Sequence, residues 1–442
     1  MDHSITSSKR SAVSSWGRLS ASLHDVTCFT NPEEVITHIQ RAEKPAIPYG
    51  MGRSYGDVCL NPAGCLWKTD KLDHFISFNR VTGKLRCEAG VLLGDIQRLF
   101  IPQGWCLPVT PGTQIVTVGG AIANDVHGKN HHVKGCFGNH VISIKLVRTD
   151  GEIIVCSSTE KRDWLEATIG GMGLTGIILA AEIQLCPTPG VWLETENIAY
   201  NGIDTFFSLA DSSEKEWEYT VSWIDCLSGD SLRGIFMRGN HTDIRRKPRS
   251  NKRLLSVPLT PPFSMVNRLS LRPFNLIYYQ LQKWKSGRSV SHYEPFFYPL
   301  DNIRNWNRMY GSRGFYQYQM VIPRSAGHRA IAEILKTIAK SGQGSFLAVL
   351  KTFGNEKSPG LLSFPLPGVT LALDFPNKGQ STLNLFKQLD RIVDETGGRL
   401  YPAKDARMPA ALFRKGYNQL NEFVKYKDPG ISSGFSRRVM EV

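Results

Sequence analysis

The residues best suited to chemistry in this chain fall in glycine-rich stretches, one histidine cluster and a strand that carries two amides. The first stretch is Pro48-Tyr49-Gly50-Met51-Gly52-Arg53-Ser54-Tyr55-Gly56-Asp57, after the short apolar approach Pro45-Ala46-Ile47. Its Gly-x-Gly-x-x-x-Gly spacing is one residue longer than the dinucleotide fingerprint, and Pro62 and Gly64 disfavour the long helix which that fingerprint needs. What remains is a loop of backbone N–H groups, and glycines let such a loop approach the oxygens of a pyrophosphate closely. The second stretch holds Pro111-Gly112-Thr113 and then Thr117-Val118-Gly119-Gly120-Ala121-Ile122-Ala123-Asn124, a tight turn into a small-residue helix whose first amides suit an anion. It runs on into His127, Lys129, His131 and His132. His127 and His131 are four apart, but Gly128 disfavours a helix and no glutamate stands where a metalloprotease base would, so no metal site is expected. Gly171-Met172-Gly173-Leu174-Thr175-Gly176 matches Gly-x-Gly-x-x-Gly literally, yet a helix-like stretch precedes it and a strand-like run follows, the reverse of the dinucleotide-binding order.

The elements that must position these groups read as a mixed α/β chain. Val141 to Val147 and Ile153 to Cys156 flank Asp150-Gly151 and predict a hairpin. Helices are expected from about Arg329 to Lys340 and from an N-cap at Ser381 to Gly397-Gly398. Phe346 to Lys351 and Val369 to Phe375 read as strands. Phe315 to Ile322 alternates strictly, which puts Gln317 and Gln319 on one face and Tyr316, Tyr318 and Met320 on the other. Two neighbouring amides on one face imply a polar ligand or a wet surface. Domain changes are expected near Pro187-Thr188-Pro189-Gly190 and near Gly398.

At 442 residues the chain has room for two or three domains, and 41% hydrophobic residues exclude wholesale disorder. Nine cysteines with no Cys-x-x-Cys pair exclude a zinc ribbon and a secreted disulfide framework, so reduced thiols in a cytosol are the simplest expectation. No apolar leader or membrane-spanning run is present, which predicts a soluble or surface-bound protein. Much of the net charge of +14 sits between Asp243 and Glu294, where eleven basic residues and no acidic one occur among prolines, leucines and aromatics. The rest of the chain is close to neutral, which argues against a nucleic-acid binder. The basic apolar segment, about 244–290, suits an anionic lipid surface; a solvated insertion loop is the equal alternative.

Taken together, the ordered motifs resemble the flavin-binding domain of the vanillyl-alcohol oxidase type of FAD-dependent oxidoreductases. Within that superfamily they are most similar to the decaprenylphosphoryl-ribose oxidase family, the flavin subunit of an epimerase. Trp16-Gly17-Arg18, Gly50 to Asp57, VTPGTQIVTVGGAIANDVHGKNHH, GCFGNHV, GGMGLTGII, WNRMYG, YQYQ, LALDFP and LYPAKDAR carry the resemblance, in order, from near the start to about Arg407. The resemblance implies an α+β fold: an FAD-binding domain from 1–190, a substrate domain on an antiparallel sheet from 191–398, and a return of 399–442 to the first. It implies FAD held noncovalently, because Arg53 stands where many relatives carry a tethering histidine.

By the same motifs the cofactor would contact Gly52, Arg53, Ser54, Tyr55 and Gly56, then Pro111, Gly112, Thr113, Thr117, Gly119 and Ala121. Asn124, His127, Gly128, Asn130, Ile177, Tyr401, Ala403 and Lys404 complete the set. Lys404 is the leading catalytic candidate, a desolvated ammonium suited to the negative charge that hydride delivery leaves on the flavin and to the substrate hydroxyl. His132 is placed beside the flavin in preference to His127 or His131. Gln317, Gln319 and Lys351 would face the flavin from the substrate sheet, with Tyr298 and Trp223 as aromatic walls. The implied reaction oxidises the 2-hydroxyl of a polyprenyl-phosphate ribose, with a short-chain reductase as partner and the enzyme peripheral on the cytoplasmic face of a membrane. Ala372 stands where mycobacterial members carry a cysteine. A soluble alditol or sugar-lactone oxidase and a non-catalytic flavin-fold binding protein are the alternatives.

Overall fold

A computed structural model describes residues 8–41, 45–244 and 255–441. The fold is α+β and rests on three sheets. The first brings together Lys9–Val13, Ser22–Cys28, Cys65–Lys68 and Ala46–Tyr49, with Cys65–Lys68 parallel to both of its neighbours. The second is an antiparallel five-stranded sheet from Phe75–Asn79, Lys84–Glu88, Ile177–Gln184, Val141–Val147 and Ile153–Ser157. Its last two strands are the expected hairpin: Gly151 adopts φ +88° and donates its N–H to the Arg148 carbonyl. The literal Gly-x-Gly-x-x-Gly lies between helix Arg162–Thr168 and strand Ile177–Gln184, the order that excludes a dinucleotide-type turn.

The third sheet has eight strands, seven of them from residues 192–376 and the last Arg399–Leu400. Toward one edge of it Phe315–Pro323 pairs antiparallel with Gly368–Pro376, which in turn pairs with Ala348–Phe353. Helices Arg324–Ser341 and Gln380–Glu395 cover one face, burying Ile331, Ile334 and Ile338 of the first and Leu385, Leu389 and Val393 of the second. The i, i+3, i+4 apolar spacing creates that stripe. Tyr318 and Met320 point into this core, leaving Gln317 and Gln319 on the opposite face. The second helix is capped at Gly379 (φ +63°), two residues before the expected Ser381, because the chain turns there through a left-handed conformation.

The tail packs on the first sheet. Ala46 N–H donates to the Gly430 carbonyl and Ser432 N–H to the Ala46 carbonyl, while the Asp428 carboxylate takes the Thr149 N–H at 2.8 Å. In the basic segment, Arg245, Arg246, Lys247, Arg249, Lys252 and Arg253 lie outside the described residues. The remainder contains a 17-residue helix, Arg268–Trp284, which the sequence reading did not anticipate. The Asn267 side chain caps it by accepting from the Leu269 and Ser270 N–H groups. Leu271, Asn275 and Tyr279 bury one face, and Leu269, Ile277, Leu281 and Trp284 stay exposed on the other.

Candidate active site

A cavity of about 860 Å³ lies between the glycine-rich segments and the uncovered face of the eight-stranded sheet. Period-two alternation builds its sheet wall: Gln317 and Gln319 from one strand, Val349 and Lys351 from the next, Thr370, Ala372 and Asp374 from the strand between them. Opposite stand Gly52, Arg53, Ser54 and Tyr55, then Pro111, Gly112, Thr113, Thr117 and Gly119. Asn124, His127, Gly128 and Ile177 continue that wall. Tyr401, Ala403 and Lys404 close one end, and Trp223 lines the sheet side.

The first glycine loop is locked to the loop after the last strand. Tyr55 N–H donates to the Ala403 carbonyl, and a Cβ at Gly56 would lie 1.8 Å from the Asp405 carbonyl oxygen. Only hydrogen fits there, and this contact brings Lys404 beside the loop, with its Nζ 4.3 Å above the Tyr55 ring centre. Burial lowers the Lys404 ammonium to about 8, with Asp374 opposing the fall. Asp374 is buried and accepts a 2.7 Å hydrogen bond from the Gln317 amide through Oδ1, whereas its Oδ2 has no partner. Burial raises this carboxyl to about 7, with Gln317 and Lys404 acting against it.

His127 is the histidine that reaches the cavity. Its Nε2 lies 3.0 Å from the Gln319 amide and its Nδ1 3.1 Å from Lys351 Nζ, which also donates to the Gly128 carbonyl at 3.0 Å. Burial and then Lys351 push His127 well below its ordinary value, so the ring is neutral. A neutral imidazole accepts at one nitrogen and donates at the other. The Gln319 amide nitrogen donates to Nε2, so the ring proton sits on Nδ1, facing Lys351 Nζ. Burial brings Lys351 to about 7, and Lys129, over the Phe296 ring and donating to the Phe296 carbonyl, to about 7 as well.

Five expected site residues do not reach the cavity wall. His132 turns away, its Nε2 2.9 Å from the Trp217 carbonyl, because the one-turn helix His131–Lys134 rotates it off the cavity side. Tyr298 is fully buried behind the wall, where its hydroxyl holds Thr110 Oγ1 at 2.7 Å. Asn130 is buried and donates to the Pro108 carbonyl and to Glu218. Ala121 packs into the core and Gly56 against Asp405. Asp374 was missed, although its position two residues from Ala372 and four from Thr370 on one strand was signal enough to place it on their face.

The wall residues fit FAD. Arg53, Lys129, Lys351, Lys404 and Arg304 set five cationic side chains against two carboxylates, Asp301 and Asp374, which suits an anionic ligand. Arg53 Nε and Asn124 Oδ1 are buried without partners, and a Cβ at Gly112 would meet nothing within 4 Å, leaving open cradle space beside the Pro-Gly-Thr turn. Arg53 stacks 4.2 Å over Trp16, which fixes the guanidinium at the wall.

Comparison with known proteins agrees. Residues 26–157 match the FAD binding domain family. The chain is 35% identical to the decaprenylphosphoryl-beta-D-ribose oxidase of Mycolicibacterium smegmatis over 98% of both chains. It is also 26% identical to the mouse L-gulonolactone oxidase over 35% of this chain and 34% of that one. An uncharacterized protein of Streptomyces coelicolor is 27% identical over 79% of this chain and its own full length. The cavity's unpartnered polar atoms, its cationic balance and this end-to-end similarity lead to one conclusion: the chain is an FAD-dependent oxidoreductase and belongs to the decaprenylphosphoryl-β-D-ribose oxidase family.

Proposed function

We propose that this enzyme oxidises the 2-hydroxyl of a polyprenylphosphoryl-β-D-ribose to the 2-keto sugar, the first half of an epimerisation to the arabinose. The observation that carries the lipid part is the position of the basic apolar segment at the cavity rim. Tyr278, on the helix Arg268–Trp284, lines the cavity, as do Ile303 and Arg304, which pair in parallel with Leu255 and Ser256. Leu255, Leu259, Phe263, Leu269 and Trp284 are all more than three-fifths exposed. An apolar surface of this size, flanked by Arg268, Arg272, Lys283, Lys285 and Arg288, suits the headgroup region of an anionic membrane. Among the described residues no helix is long and apolar enough to cross a membrane. The enzyme would sit on the surface and receive its substrate's chain from the bilayer.

FAD, when bound, supplies the hydride acceptor. Residues 1–190 with 399–442 hold it, noncovalently since Arg53 replaces a tethering side chain, and 191–398 supply the sugar-facing sheet. Lys404 polarises the reacting hydroxyl and stabilises negative charge in a water-poor site. The unpartnered Asp374 Oδ2 receives the hydroxyl proton, Gln317 orienting the carboxylate through Oδ1. Lys351 and the His127–Gln319 pair form a second polar wall for the sugar and its phosphate. The keto product requires a separate reductase, of the short-chain class, to deliver hydride to the opposite face. Anaerobic addition of a polyprenyl-phosphate ribose is expected to bleach the flavin band at about 450 nm. Bleaching by alditols or lactones in its place would reassign the substrate, and a protein purified without flavin would overturn the reading.

A further inference from the structure

We propose that Cys106 and Cys186 are a redox-modification site, oxidised reversibly to a disulfide by a hydroperoxide. The two residues stand directly opposite one another in a two-residue antiparallel ladder, Trp105–Cys106 with Cys186–Pro187. Their sulfurs are 3.3 Å apart. Opposed residues in an antiparallel pair have Cα atoms about 4.5–5.5 Å apart, inside the span a disulfide bridges, so closing the sulfurs by about 1.3 Å requires only side-chain rotation. Cys106 is 2% exposed and Cys186 is partly open, which gives the pair one accessible thiol and one sheltered thiol.

The surroundings divide the roles. Cys186 holds its proton less tightly than a free thiol, first because the Cys106 thiol bonds to it and then because Lys134 is near, with burial and Glu218 opposing. Cys106 is shifted the other way, by the same bond and by burial. Cys186, the partly open sulfur of the pair, is the attacking one, and the sheltered Cys106 resolves it. Its thiolate attacks a peroxide oxygen: an S–O bond forms, the O–O bond breaks, and the departing oxygen leaves as water for hydrogen peroxide, or as an alcohol for an organic hydroperoxide. The Cys106 sulfur then displaces the hydroxyl from the Cys186 sulfenic acid, forming S–S, breaking S–O and releasing a water. Two electrons pass from the sulfurs to the peroxide, and both thiol protons end on the released oxygens. An external thiol reverses the step.

The position gives the bond a consequence. Cys106 opens the segment that reaches Thr110 and the Pro111-Gly112-Thr113 turn at the cavity, and Cys186 closes the segment that leads into the eight-stranded sheet at Trp192. Both sulfurs pack on a cluster containing Leu193, Tyr219, Phe297 and Tyr298, and neither lines the cavity. The disulfide would make covalent a seam now held by a two-residue ladder, while leaving FAD and substrate contacts in place.

The test is peroxide titration of the reduced holoenzyme, followed by non-reducing peptide mass spectrometry. A 106–186 linked peptide, about tenfold more abundant than any other linked pair and abolished by dithiothreitol, is expected. Cys106→Ser should leave Cys186 as a sulfenic acid that dimedone traps, and Cys186→Ser should leave Cys106 unoxidised. Both variants should keep FAD and turnover, which shows that they are folded. Oxidation of the exposed Cys28 with no 106–186 peptide, or Cys106 oxidising first in the Cys186→Ser variant, would overturn the proposal.

Discussion

Lys404→Met removes one charge while keeping an unbranched side chain, and it separates two effects that the structure predicts to run in opposite directions. Lys404 is half-buried on the cavity wall and its ammonium falls from an ordinary 10.5 to about 8, chiefly through burial. At about 1.4 kcal/mol per pH unit, holding the charged form inside costs about 3 kcal/mol. The sign follows from the states. Below about 8 the lysine is charged both folded and unfolded and the full cost applies. Between about 8 and 10.5 only the unfolded chain is charged, so the cost shrinks, and above 10.5 it is gone. Loss of the contact with the Tyr55 ring offsets about 1 kcal/mol. The flavin-free variant should therefore be about 2 kcal/mol more stable than the parent at pH 7 by urea unfolding, and the advantage should disappear by about pH 9.5. Flavin reduction by substrate should fall by about 100-fold or more, the usual cost of removing a group that stabilises developing charge. A variant that is less stable at pH 7, with no pH trend, would refute the burial argument; one that reduces its flavin at the parental rate would refute the catalytic one.

Other consequences can be checked independently. His127→Gln should slow flavin reduction by about 100-fold and leave FAD bound, whereas His132→Asn should leave the rate within about twofold, as measured by stopped-flow absorbance. Flavin reduction should rise with pH through about 7 as the Asp374 carboxyl loses its proton, and Asp374→Asn should abolish that limb. A Lys351→Met control that keeps the limb separates it from the lysine titrating in the same range. Gly56→Ala places a methyl against the Asp405 carbonyl and should cost about 3 kcal/mol of stability with loss of flavin retention, read by unfolding and by flavin-to-protein absorbance ratio. Replacing Leu269, Ile277 and Trp284 together by serine should weaken binding to phosphatidylglycerol vesicles by about 100-fold with FAD unaffected; unchanged sedimentation with vesicles would remove the membrane reading.

What could be read in the sequence is what neighbours in the chain decide. The Asp150-Gly151 hairpin, the helix covering the sheet from Leu385 to Val393, and the side-by-side Gln317 and Gln319 follow from backbone freedom at glycine and from periods of 3.6 and 2. The helix Arg268–Trp284 was obscured because Pro273 lies inside it, a residue that in a sequence marks a helix end and is tolerated here in the first turns. Three histidines within six residues carry equal local signal, and only the packing of a one-turn helix decides that His127 faces the cavity while His132 meets the Trp217 carbonyl. The same holds for chemistry that depends on distance through space: Asp374 and Lys404 acquire their shifted protonation from burial beside one another, and Cys106 meets Cys186 across 80 residues of chain. Side-chain type and spacing determine which groups are present and which turns are possible. Desolvation and contact between distant segments exist only once the chain has closed on itself, and they determine which of those groups can react.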